Sequence, residues 1–115
     1  MSGDHGLRVN LPASLHALRT NTSLRLHLVG DSQAIQAEIG TGLPQRASIV
    51  HAPGILAMDA SPTGVLRNTD QSSLRAALEL LATGDVGGMI SAGNTGALMA
   101  LSRQRLSMIA GFRRP

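Results

Sequence analysis

Three short polar turns carry the residue types from which an anion-handling site can be built. The first is SAGNTG, residues 91–96, between the apolar pair Met89-Ile90 and the apolar run 97–101. This reads as a strand feeding a helix through a glycine-rich elbow. A helix start leaves about four backbone N–H groups unpaired and carries roughly half a unit of positive charge. Gly93 and Gly96 let an anion approach the backbone, and Ser91, Asn94 and Thr95 add side-chain donors. The same residues also fit an ordinary turn with Asn94 or Thr95 as a plain cap. The second turn is SGDHG, residues 2–6, where Asp4 and His5 are framed by Gly3 and Gly6. The third is RNTDQSS, residues 67–73, with Arg67 able to pair with phosphate and Ser72 and Ser73 at a helix start. Simple capping plus one solvated Arg is the alternative, and for Ser73 it is the favoured one.

Other chemistries fit less well. Residues 88–95 read G-x-x-x-x-G-N-T, one residue from a phosphate-binding P-loop, but Asn94 stands where that loop needs lysine. No G-x-G-x-x-G occurs, so a dinucleotide site is unsupported. His5, His16, His27 and His51 show no paired metal-ligand spacing, so a metal site is not expected. His27 and His51 fall on strand candidates as packed or solvent-facing residues. Spacing alone supports no serine–histidine–aspartate triad.

Composition narrows the classes further. The 115 residues suit one small domain, and 43% hydrophobic content allows a core. With one Phe and no Trp or Tyr, that core must be aliphatic. No Cys is present, which removes disulfides and thiolate sites. The net charge is +3, every basic residue is Arg, and no aromatics are interleaved with them, so nucleic-acid binding is not expected. No apolar run approaches the roughly 20 residues that cross a bilayer, and no signal-peptide pattern opens the chain. A cytoplasmic protein is the expectation.

The elements that must position the turns follow from periodicity. A short helix is predicted over 12–18, with Pro12 at its first position and Leu11, Leu15 and Leu18 on one face. LRLHLVG, 24–30, alternates as a strand. Asp31 or Ser32 caps a helix bearing Ile35 and Ile39, closed by Gly40 and Gly42. ASIVHA, 47–52, is a second strand. Residues 53–70 read as a loop with a short helix near 63–67. SSLRAALELLATG is a helix capped by Ser72 or Ser73, striped by Leu74, Ala77, Leu78 and Leu81, and closed by Gly84. VGGMIS is predicted to be a short buried strand and TGALMALSRQRL a helix. The alternation argues for an α/β domain with a mostly parallel sheet. The glycine-rich turn at Met1 has no strand before it, and an apolar helix is followed directly by Arg113, Arg114 and Pro115. The chain therefore reads as a piece of a larger domain, residues 1–115 being its N-terminal portion without the first strand or the C-terminal remainder.

Taken in this order, the turns resemble those of the phosphate acyltransferases of bacterial phospholipid synthesis. MSGDHG resembles that family's M-G-G-D-x-G turn. MDASPTGVLRNTDQSSLRAALELLATG resembles its D-x-x-P-x-x-x-x-R segment followed by S-S and a helix. ISAGNTGALMALS matches its S-A-G-N-T-G-A-L-M-A block closely, and IAGFRRP is similar to its I-x-G-[IV]-x-R-P. The likeness runs through the whole chain and covers about the first third of a typical member.

The resemblance implies transfer of a fatty acyl group from acyl carrier protein to inorganic phosphate, giving acyl phosphate for phosphatidic acid synthesis. It implies an incomplete three-layer α/β/α Rossmann-like sandwich, of the isopropylmalate dehydrogenase and phosphate acetyltransferase kind. It also implies no cofactor, a homodimer in full-length members, and peripheral contact with the membrane or with the membrane acyltransferase that uses the product. By motif, Ser91, Gly93, Asn94, Thr95 and Gly96 line the phosphate or substrate site with Gly3, Asp4, Arg67, Ser72 and Ser73. Asn94, Thr95 and Asp4 are the catalytic candidates. The alternative is an inactive truncated copy or a non-enzymatic anion-binding or partner module. Departures include Ser2 for Gly, Leu7 for Pro, and Asp70 in a stretch the family fills with Lys or Arg.

Overall fold

The computed structural model describes residues 6–54 and 71–111. The expectations placed on Gly3, Asp4, His5, Arg67 and Asp70, and on a short helix near 63–67, lie outside these residues. The described elements, in order, are α1 (Leu7–Thr20), β1 (Leu26–Gly30), α2 (Ser32–Ile39), β2 (Ala47–His51), α3 (Ser73–Ala82) and α4 (Thr95–Arg105). The two strands pair in parallel, with Leu26 opposite Ala47 and Gly30 opposite His51. The expected α/β class with a parallel sheet is present.

α1 is longer than the helix predicted over 12–18. Pro12 sits sixth within it rather than first. The reason is a stripe that starts one turn earlier: Leu7 packs with Leu15 against buried Leu11, Leu28 and Ile35. Burying each such side chain contributes about 1.5–3 kcal/mol, which offsets the roughly 3 kcal/mol cost of an interior proline. Gly6, at φ +53, turns the chain into this helix, a conformation that glycine reaches without penalty.

α2 behaves as its sequence predicts. The Asp31 carboxylate accepts from the N–H groups of Gln33 (2.9 Å) and Ala34 (3.5 Å), and Ile35 is buried. Ile39 joins the same apolar cluster as α1 and the sheet, with Ile49 from β2. A second cluster joins α3 to α4 through Leu74, Leu78, Ala97 and Leu101, with Met89, Leu98 and Leu106 packed against it. Glu79 on α3 pairs with Arg105 at the end of α4. Both partners are well exposed, so this ion pair adds little.

The strand predicted at VGGMIS is not formed. Residues 86–90 carry no strand, and Ile90 is fully exposed at 101% rather than buried. A strand exists only through a partner ladder, and no neighbour among the described residues supplies one. Gly87 and Gly88 add no side chains that could hold the segment by packing.

Arg46 secures the end of the sheet opposite the helix starts. Its Nη1 donates to the carbonyls of Asn21 (2.8 Å) and Leu24 (2.9 Å), and its Nη2 to that of Leu18 (2.6 Å). The Leu18 carbonyl belongs to the last turn of α1, where helical partners run out. One planar guanidinium thus ties α1 and the following turn to β2. Lysine cannot reproduce a fork across three acceptors. Arg46→Lys is expected to cost about 1–2 kcal/mol, read as a lower urea midpoint at unchanged slope; an unchanged midpoint would show the clamp to be idle.

Candidate functional site

The site is built where strands end and helices begin. β1 runs through Gly30 directly into the Asp31 cap of α2. Beyond β2, Gly54 forms a parallel bridge with Ser72, the cap of α3. Gly54 N–H donates to the Gln71 carbonyl (2.8 Å), and Ser73 N–H donates to the Gly54 carbonyl (2.9 Å). Two helices therefore start at the carboxyl edge of the parallel pair, the edge at which open α/β sheets take ligands.

This docking leaves no room at Gly54. A Cβ there would lie 2.6 Å from the Gln71 carbonyl oxygen, 2.8 Å from its carbon and 3.0 Å from the Ser72 nitrogen. All three are backbone atoms. The sequence reading assigns Gly54 no role beyond a place in the loop predicted over 53–70.

The two serines divide their work. The Ser72 hydroxyl accepts from Arg75 N–H (3.3 Å), and the Ser72 carbonyl accepts from Ala76 N–H (3.1 Å). Ser73 is buried and its N–H is already taken by Gly54. Ser72 is therefore a cap and Ser73 a docking residue, which matches the simpler of the two sequence readings for this turn. The Ser73 N–H is therefore not open to an anion.

The elbow before α4 differs. Asn94 is buried at 8% exposure and caps the helix, its Oδ1 accepting from Ala97 N–H at 2.9 Å. The Asn94 carbonyl accepts from Leu98 N–H (3.0 Å). Upstream, Gly93 N–H donates to the Ser91 hydroxyl (3.2 Å), which folds the turn onto itself. Thr95 is exposed and Gly96 half-buried. Among the described residues no acceptor meets their N–H groups. The cap thus consumes the third N–H of the helix with its own side chain, while the first two remain available. Leu74, next to Ser73, and Ala97, three residues after Asn94, share one apolar cluster. That cluster fixes the α4 start against α3.

The histidines do not gather. His16, His27 and His51 are exposed, and the latter two each contact a serine hydroxyl, Ser48 and Ser32. No cluster of three metal-ligating side chains occurs among the described residues. No described helix is long and apolar enough to cross a membrane.

The whole chain, residues 1–115, matches the family described as fatty acid synthesis protein. The chain belongs to this family. It is similar to a phosphate acyltransferase of Shewanella pealeana, 45% identical over 118 residues, an alignment taking in 100% of this chain and 34% of that protein. Phosphate acyltransferases of Halorhodospira halophila (43%) and Legionella pneumophila (42%) align over the same shares. The chain spans about a third of the length of these relatives, in keeping with the likeness to the first third of a phosphate acyltransferase. Membership places the sequence of the three turns in a family described by fatty acid synthesis.

Proposed function

We propose that the elbow at the start of α4 is the phosphate-holding part of an acyl-transfer site. The reaction is attack by inorganic phosphate on the thioester of an acylated carrier protein. A phosphate oxygen bonds to the acyl carbon, the carbon–sulfur bond breaks, and the carrier thiol and an acyl phosphate result. The observation that carries this reading is the pair of N–H groups at Thr95 and Gly96, which meet no acceptor among the described residues and are held in place by a cap that needs neither.

Backbone donors at a helix start suit this chemistry because they stabilise both the phosphate and the oxyanion that develops on the acyl carbon. Ser91 and Gly93 shape the approach. Ser72 and Ser73 seat the neighbouring helix, and Arg67, Gly3 and Asp4 complete the set by motif. On this reading the full-length protein extends the fold to a three-layer α/β/α sandwich that dimerises in the cytoplasm and touches the membrane peripherally. Acyl carrier protein and phosphate are the substrates, and no metal or nucleotide takes part.

The test is thermal denaturation of the chain in increasing phosphate, with acyl phosphate formation from acyl carrier protein followed in the same samples. Phosphate is expected to raise the melting temperature, by an amount corresponding to about 2.7 kcal/mol at a hundredfold excess over the dissociation constant. Stabilisation with turnover supports the enzyme, and stabilisation without turnover supports an anion-binding module. A melting temperature indifferent to phosphate would remove the elbow from consideration.

A further inference from the structure

A second constellation stands apart from the α4 elbow. His51 closes β2 and Ser32 opens α2. The Ser32 hydroxyl lies 2.9 Å from His51 Nδ1, and the Ser32 backbone nitrogen lies 3.2 Å from the same atom. A backbone N–H can only donate, so Nδ1 acts as the acceptor in this contact. The hydroxyl must then donate as well. Ser32 thus directs its O–H at an unprotonated imidazole nitrogen, the contact by which a base activates a serine. His51 is exposed and Ser32 half-buried, so the pair is open to a reagent. Ser48 and His27 also meet, at 2.7 Å, but no backbone donor fixes that tautomer.

The rest of the chain offers little competition for an acyl group. It contains no Cys or Tyr, and its ten basic residues are all Arg. Hydroxyls, imidazoles and the terminal amine are the nucleophiles that remain.

We propose that Ser32 and His51 form an acyl-accepting dyad, with an acyl phosphate as donor; the presence of that donor rests on the function proposed above. The Ser32 Oγ bonds to the acyl carbon and its proton passes to His51 Nδ1. The bond from the acyl carbon to the phosphate oxygen breaks, and phosphate leaves. The imidazolium then returns the proton to solvent, leaving an ester on Ser32. The Asp31 carboxylate already accepts from Gln33 and Ala34 N–H, so those groups do not serve an oxyanion. The dyad therefore takes up one acyl group slowly and does not turn over.

The chain is incubated with acetyl phosphate, without carrier protein, and mapped by peptide mass spectrometry. One acetyl group is expected, on Ser32, and none at that position in Ser32→Ala. His51→Gln retains an acceptor for the Ser32 N–H but supplies no base; its acetylation should be roughly 10²-fold slower. Acetyl groups spread over exposed hydroxyls, an acetyl on His51 itself, or an equal rate in His51→Gln would overturn the proposal. Because the donor is supplied directly, a chain unable to make acyl phosphate would still acetylate Ser32. Failure of the dyad and failure of the phosphate site are thereby told apart.

Discussion

Asn94→Asp is expected to keep the chain folded and its α4 cap in place, and to abolish its stabilisation by phosphate. The two effects separate because Asn94 stands at the point where capping and anion binding meet. Its Oδ1 accepts from Ala97 N–H, and a carboxylate oxygen in the same position accepts equally well. Asp and Asn are near equals as caps, and a negative charge at a helix start is favoured by the dipole. The cap itself should therefore be kept, while enclosing a charge at this buried position costs some stability. Phosphate meets the opposite situation. A fixed carboxylate beside the Thr95 and Gly96 N–H groups repels an anion by roughly 4 kcal/mol at 4 Å and an effective dielectric near 20. That corresponds to about three orders of magnitude in affinity at that separation. Asn94→Ala supplies the converse: the cap is lost, costing about 1 kcal/mol, while no charge opposes the anion. If Asn94→Asp retained the phosphate response, the anion would sit elsewhere and the elbow would be an ordinary capped turn.

The same electrostatic argument applies to Asp70, which lies between Arg67 and Ser72 in the sequence. A carboxylate facing the elbow would lower phosphate affinity in the wild-type chain. Asp70→Asn is the natural companion variant in the phosphate titration.

The parts of this fold that were legible in the sequence are those set by neighbours along the chain. Asp31, Ser72 and Asn94 announce their helices because a cap needs only the N–H groups two or three residues ahead. The stripe Leu74, Leu78 marks the buried face of α3 for the same reason, since helical period is local. The alternation of Leu26, His27 and Leu28 likewise gave β1 its inner and outer faces. What failed depended on partners far away in sequence. The run 86–90 has the apolar character of a strand, but a ladder requires a second chain segment, and none among the described residues supplies it. Pro12 suggested a helix start because the Leu7 contact with β1 and α2 residues was invisible. The clamp by Arg46 is invisible for the same reason, since its three carbonyl partners lie 22 to 28 residues away. The Ser32–His51 pair spans 19 residues and has no sequence signature. The elbow itself was half-legible. Its glycines and its cap are local, whereas the availability of the Thr95 and Gly96 N–H groups depends on what the fold brings near them.

Gly54→Ala should destabilise the chain by about 2–4 kcal/mol, from overpacking and from the loss of two backbone hydrogen bonds. The added methyl would meet the Gln71 carbonyl group and the Ser72 nitrogen, all within 3.0 Å. None of these can rotate away, as a side chain would. The segment must separate from α3, and separation breaks both Gly54 N–H to Gln71 and Ser73 N–H to Gly54. Displacing Ser73 also moves Leu74, and through the shared cluster Ala97 and the start of α4. The effect should therefore appear twice: as a lower melting temperature, and as weaker phosphate stabilisation although no residue of the elbow has changed. Gly87→Ala is the control. A Cβ at Gly87 meets nothing within 4 Å and its φ is not positive, so the substitution should be neutral or stabilise by up to about 1 kcal/mol. Equal stability of the Gly54→Ala and Gly87→Ala chains would mean that the contact between Gly54 and the α3 cap does not hold the two helix starts in place.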